Sequence, residues 1–352
     1  MNIALFHIDG RLPNLALMKL SAWHRSNGDD VRLYRGVAQL RMGDPVPDRV
    51  YASTIFQYDR SRRLAGTIRE QWPDARIYGT GLPDTMGHTV ETELGVGQFE
   101  HYDYSIYPHY RHSIGFTQRG CRLQCGFCVV PAKEGRPVST ATLSDLMRPD
   151  GDGGIVLLDN DFFGQPPNQW KARVGEMVEM GCRVSLCQGI NVRLITDETA
   201  SAMASLDYRD ITLKSRVLQT AWDNIGQERV FFRGLEKLNA AGIPSKHVAV
   251  YMLIGYDPAE TMGDVMYRWH RLRDAGCLPY PMPYRRKDAS LTLFQHWALT
   301  ARYKDPSFRY EDYYHRHVGR ELDTTTPTLD LLQSGASKIR RRVRDTRQGA
   351  LV

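Results

Sequence analysis

The chain has 352 residues, enough for two domains or one large barrel with an appendage, and its 42% hydrophobic and 24% charged residues are ordinary for a globular protein. No run approaches the about 20 apolar residues of a membrane span. Residues 338–347 hold six basic residues and one acid, which leaves the rest of a chain of formal charge +6 close to neutral and argues against a uniformly basic nucleic-acid-binding surface.

Residues 2–8 form a nearly continuous apolar stretch with no basic residues before it, and it reads as a first strand rather than a signal peptide. Pro13 and Asn14 open a helix with apolar positions at Leu17, Leu20 and Trp23, closed by Asn27 and Gly28. Strands are expected over 31–34 and 49–54, a helix over 60–71 stopped by Pro73, and a last strand over 76–79 leading into Thr80 and Gly81. This βα alternation predicts a small parallel sheet covered by helices, over about residues 1–105.

Cys121, Cys125 and Cys128 then stand in the order C-x3-C-x2-C within one short segment. Three thiolates on one loop can ligate three irons of a [4Fe–4S] cluster and leave the fourth open, whereas a tetrahedral zinc site wants four ligands and no finger-like Cys or His pair follows. The spacing, together with the aromatic Phe127 just before the third cysteine, resembles the signature of the radical S-adenosylmethionine (SAM) superfamily. The resemblance implies that SAM chelates the open iron and that one electron from the cluster cleaves its C–S bond. The resulting 5′-deoxyadenosyl radical would take a hydrogen from a substrate the sequence does not identify. An electron donor such as a flavodoxin or ferredoxin is implied as well. Six cysteines without a secretory signal favour a reducing, cytoplasmic setting.

Downstream, strands expected over 113–118, 154–158, 183–188, 216–222, 247–254 and 278–284 alternate with helices over 166–180, 197–206, 228–241 and 261–275. Six such units match the superfamily's partial (β/α)6 barrel, assigned to residues 106–290. A helical, aromatic- and Arg-rich extension with Trp297, Tyr303, Tyr310, Tyr313 and Tyr314 completes residues 291–352. Parallel strands joined by right-handed crossovers present their C-terminal ends on one face. The resemblance there implies SAM contacts from Asp159, Asn160 and Asp161 after the second strand, and from Gln188 and Arg193 after the third. It also implies contacts from Asp223 after the fourth strand, and from Ile254 and Gly255, beside the adenine, at the end of the fifth. Competing local roles are a helix N-cap for Asp159–Asp161, a turn for Asp223 and a surface position for Arg193. Cys182, Cys187 and Cys277 read as buried apolar residues, not as a second cluster.

The N-terminal pattern resembles the Rossmann-like domain of the cobalamin-associated branch. The D-x-H-x-x-G string that binds cobalt through histidine is absent, which makes cobalamin-dependent methylation the alternative reading. The methylthiotransferase branch carries further cluster cysteines in its N-terminal domain, and this chain has none before Cys121, so that branch is not expected. An alternative of another class is a non-catalytic iron–sulfur protein that binds nucleic acid through the basic segment 338–347.

Overall fold

The computed structural model describes residues 1–82, 89–97, 99–286, 288–305 and 308–333. The chain divides into two compact units. One holds Met1–Gln124 and Cys128–Asn160, and the other holds Cys125–Phe127 and the described residues from Asp161 on.

The first unit begins with β1 (Asn2–His7), α1 (Leu15–Ser26), β2 (Asp30–Arg35), β3 (Arg49–Ser53), α2 (Asp59–Gln71) and β4 (Arg76–Tyr78). The strands form one sheet in the order β2-β1-β3-β4, every pair parallel. β1 is apolar from Ile3 to Phe6 because both of its faces are covered. Ile3 and Leu5 pack with Leu17 and Leu20 of α1, while Ala4 and Phe6 pack with Ala65 and Ile68 of α2. Asn14 caps α1 by accepting from the Leu17 amide.

A short helix, α3 (Val90–Leu94), precedes β5 (Ser113–Gly115), β6 (Gln118–Arg119), α4 (Val130–Glu134), β7 (Val138–Ser139), α5 (Leu143–Leu146) and β8 (Gly154–Leu157). β5 pairs with β8 in parallel, and β6 with β7 in antiparallel. The strand expected over 113–118 is therefore two strands with different partners. The break falls at Phe116 and Thr117, whose carbonyls accept from the Thr140 hydroxyl at 2.7 Å and the Thr140 amide at 2.9 Å.

The second unit contains α6 (Pro167–Glu179), β9 (Arg183–Leu186), α7 (Asp197–Ala204), β10 (Asp207–Tyr208), β11 (Leu218–Ala221), α8 (Glu228–Ala240), β12 (Val248–Ile254), α9 (Met262–Asp274), β13 (Leu278–Pro283), α10 (Ala289–Leu299), α11 (Tyr310–Val318) and α12 (Thr328–Gln333). β9 and β10 pair in parallel, and β11-β12-β13 form a parallel sheet. The two-residue β10 is too short to leave a periodic signal, and the sequence gives no hint of it. Thr196 and Thr261 close capping boxes on α7 and α9. Residues of β12 alternate between buried and half-buried, so along β12 only one face is fully covered, whereas Leu218, Gln219 and Thr220 bury both faces of β11.

In the C-terminal region Trp297, Tyr310, Tyr313 and Tyr314 are core, while Tyr303 is half-buried. Tyr310 and Tyr313 are fully buried, the Tyr310 hydroxyl donates to the Ser290 carbonyl at 2.6 Å, and the Trp297 indole donates to the Phe308 carbonyl at 2.9 Å. No described helix is long and apolar enough to cross a membrane. The basic segment 338–347 lies outside the described residues.

Candidate functional site

The cysteine loop is closed at its base by the β6–β7 hairpin, with Gln118 opposite Ser139 and Arg119 opposite Val138. Inside that clasp the Cys121 amide donates to the Gly135 carbonyl at 3.0 Å. Gly120 has φ +79°, and a Cβ there would stand 2.2 Å from the Arg136 carbonyl oxygen, so only glycine lets the chain turn into the loop. The Gln118 amide donates to the Arg119 and Gly120 carbonyls at 2.5 and 2.7 Å. Glu134, at the end of α4, gathers three donors: the Arg119 guanidinium at 2.9 Å, the Gly120 amide at 3.2 Å and the Asn160 side chain at 2.6 Å. A loop held this way loses little further entropy when its thiols take a ligand.

None of the three cysteines is in a disulfide; Cys121 and Cys125 are half-buried and Cys128 is exposed. Among the described residues, no group of three or more Cys, His, Asp or Glu side chains is gathered as around a single metal ion. Thiolates of an iron–sulfur cube bind separate irons and stand farther apart than ligands of one metal. Three thiols outside any disulfide, on a clasped loop, fit such a cluster. By contrast Cys182, Cys187 and Cys277 are buried in or beside strands, and burial pushes the Cys277 thiol up to about 11. They serve as apolar core.

Phe127 belongs to the second unit and meets Tyr256 edge-on, ring centroids 5.2 Å apart. Around the strand ends of that unit the polar groups fall into two kinds. Asp223 accepts from the Leu253 amide at 2.9 Å through one oxygen, and its other oxygen has no partner among the described residues. Burial raises its pKa, while Arg268 and Arg193 act to lower it. Arg193 donates to Asn191 at 3.1 Å and to Gln227 at 2.7 Å, both neutral, so its charge is not matched by a carboxylate in direct contact. Gln188 is exposed. These residues have polar capacity to spare.

Others are consumed by the fold. Asp159 is 2% exposed and accepts from both the amide and the hydroxyl of Thr117, the amide at 2.8 Å. Burial pushes its pKa up to about 7. It is neither a helix cap nor a free carboxylate; it ties the end of β8 to the segment after β5. Asn160 is held by Glu134, and Asp161 is buried at 3% exposure. The N-cap position of α6 falls to Pro166.

Ile254 and Gly255 are likewise engaged by the fold. Ile254 is fully buried on the covered face of β12. Gly255 has φ +76°, a left-handed backbone that favours glycine, and a Cβ there would also press on the end of the Leu291 side chain at 2.3 Å. Its amide donates to Glu260 and its carbonyl accepts from Arg285, which leaves no backbone group for a ligand. The residue on the open face is Leu253.

Three residues that sequence reasoning passed over hold these strand ends. Arg268, on α9 and fully buried, donates to the Trp222 carbonyl at 2.7 Å, the Leu253 carbonyl at 3.0 Å and the Glu260 carboxylate. Glu260 and Arg285 complete the frame from either side of Gly255. Arg268 left a readable trace: it lies on the stripe formed by Val265, Trp269 and Leu272, where a charge is out of place. Glu134 left none, because its partners come together only in three dimensions.

No protein-family model matches the chain. It is similar to a tRNA-2-methylthio-N(6)-dimethylallyladenosine synthase of Thermobifida fusca (strain YX), 26% identical over 291 residues that cover 73% of this chain and 56% of that protein. The chain therefore spans about half the length of the relative it matches. This likeness bears out the resemblance to radical SAM enzymes read from the cysteine loop. The relative's name belongs to the methylthio-forming branch that the sequence disfavoured. The feature behind that expectation still stands, since no cysteine precedes Cys121.

Proposed function

We propose that the chain is a radical SAM enzyme acting on an RNA substrate, with Cys121, Cys125 and Cys128 holding one [4Fe–4S] cluster. The observation that carries this reading is the loop itself: three cysteines at C-x3-C-x2-C spacing, outside any disulfide, on a segment clasped by a hairpin and by Glu134. When bound, the cluster supplies the electron that cleaves the C–S bond of SAM. A reduced flavodoxin or ferredoxin is the class of donor such a site accepts, and a reducing cytoplasm suits both.

The protein's own groups bind and orient. Arg193, with no carboxylate in contact, would meet the SAM carboxylate, which suits a planar guanidinium fork. The unused Asp223 oxygen would accept from a ribose hydroxyl, while Arg268 fixes the strand ends that carry it. Phe127 and Leu253 would shield the site from water. Asp159 and Gly255 act through the backbone they hold. Support for RNA as substrate comes from the relative, whose name specifies tRNA. Insertion of sulfur carries over less readily, because the early cysteines that branch employs are missing here.

Cobalamin has weaker support. The strand-end amides of the first sheet that could cradle a ligand are occupied: Asp9 accepts from the Thr54 hydroxyl at 2.6 Å and from the Ile55 and Phe56 amides at 2.7 and 3.2 Å. Anaerobic incubation with SAM and a strong reductant tests the proposal. The wild-type chain should release 5′-deoxyadenosine and Cys125→Ala should not; equal release from both would reject it.

A further inference from the structure

Glu134 joins segments that are far apart in sequence. Its side chain is 10% exposed, and its three described partners are all donors. One carboxylate oxygen accepts from Arg119 at 2.9 Å, and that guanidinium also lies over the Phe116 ring, 4.2 Å from its centroid. The other oxygen accepts from the Gly120 amide at 3.2 Å, one residue before Cys121, and from the Asn160 side chain at 2.6 Å. A single carboxylate oxygen therefore ties the entry of the cysteine loop to the segment that follows β8.

The same bond decides which way the Asn160 amide points. A carboxylate only accepts, so it takes the amide nitrogen and turns the amide oxygen away. That oxygen has no partner among the described residues and, unlike the Gln219 oxygen, is not enclosed by the protein. The neighbours of Asn160 offer less. Asp159 spends both oxygens on Thr117, and Asp161 is buried at 3% exposure. Of the three residues after β8 expected to touch SAM, Asn160 is thus the best placed to accept from a ligand. A half-buried acceptor of this kind suits an ammonium group, since a hydrogen bond with one charged member is shorter and stronger than a neutral one. An amide held at one end loses little further freedom when a ligand takes the other.

We propose that Glu134 is a positioning residue: it holds the cysteine loop and Asn160 in one register and leaves the Asn160 oxygen facing out as the acceptor for the amino group of SAM. This rests on the reading of the chain as a radical SAM enzyme and deepens it. The test measures SAM affinity by equilibrium dialysis on the full chain, reconstituted anaerobically, with iron content and visible absorption read on the same samples. Glu134→Leu releases the Asn160 amide and should weaken SAM binding about tenfold or more, the worth of one hydrogen bond to a charged group. Asn160→Ala should lose a similar factor. The double variant should lose no more than Asn160→Ala alone, because Glu134 acts through Asn160. Glu134→Gln can keep its oxygen on Gly120 and Asn160, and it should bind SAM within about fivefold of wild type, since the Arg119 pair it gives up is partly exposed. A general loosening of the loop would instead add to the loss from Asn160→Ala and lower the iron content. Additive losses, full affinity in Glu134→Leu, or Glu134→Gln as weak as Glu134→Leu, each in protein that carries its cluster, would overturn this inference alone. No iron in the wild-type chain, or a cluster without affinity for SAM, would sink the radical SAM reading and this inference with it.

Discussion

Two of the parallel sheets among the described residues, β2-β1-β3-β4 and β11-β12-β13, are built from the same βα alternation and differ in what their strand ends leave unused. In the first sheet, Asp9 absorbs the hydroxyl of Thr54 and the amides of Ile55 and Phe56, and both faces are buried under helices. The exception is His7, whose Nε2 lacks a partner; burial lowers its pKa to about 4, so it stays uncharged at neutral pH. In the β11-β12-β13 sheet only one face of β12 is fully covered. The strand ends show half-exposed tyrosines and an aspartate with an oxygen to spare, and a glutamine oxygen buried in β11 lacks a partner among the described residues. A parallel sheet becomes a site only where its own residues leave hydrogen-bonding capacity unspent, and that holds for the second sheet far more than for the first.

The sharpest way to break the contrast is to remove the frame that keeps the open edge in place. Arg268→Leu leaves Glu260 buried without its guanidinium and should cost about 3–5 kcal/mol, read from the urea midpoint. A loss below about 1 kcal/mol would mean that the frame is incidental. Asp159 offers a pH test in the first unit. Its folded pKa, about 7, lies above the ordinary 3.8, so the folded chain binds that proton more tightly. Stability from this group is complete below pH 4 and falls as pH rises toward 7, by about 4 kcal/mol at most. Asp159→Asn should flatten that fall in melting temperature; an unchanged slope would show the carboxylate to be ionised throughout.

Smaller effects compare the two edges directly. Asp9→Ala strands two amides at the closed edge and should destabilise by about 2 kcal/mol. Gln219→Leu removes an unpaired buried acceptor from the sheet with the open edge and should stabilise by about 1 kcal/mol. Opposite signs sharpen the distinction between a finished edge and a poised one. Matching losses would erase it.

Much of this architecture was legible from periodicity. The strands of the first sheet and its two flanking helices fall within a residue or two of their expected bounds, because apolar runs and stop signals such as Asn27, Gly28 and Pro73 are local. All six strands expected downstream of residue 111 are found as well. The strand before the cysteines was read as continuous because its division at Thr117 depends on Thr140 and Asp159, distant in sequence. The cysteine loop was legible in full as a spacing. The hairpin that clasps it was not, since two-residue strands carry no pattern. The residues expected to touch SAM differ in what the fold leaves unspent, and sequence alone does not separate them: a carboxylate or glycine at a strand end looks the same whether it faces a ligand or the fold. Asp223 and Arg193 keep capacity for a ligand, while Asp159 and Gly255 do not.

The most direct measurement is the iron and acid-labile sulfide content of the anaerobically reconstituted chain, taken with its visible absorption. The account predicts about four irons and four sulfides per chain with a broad charge-transfer band, all lost in Cys125→Ala. One zinc and no sulfide, or an iron content indifferent to Cys125, would contradict it.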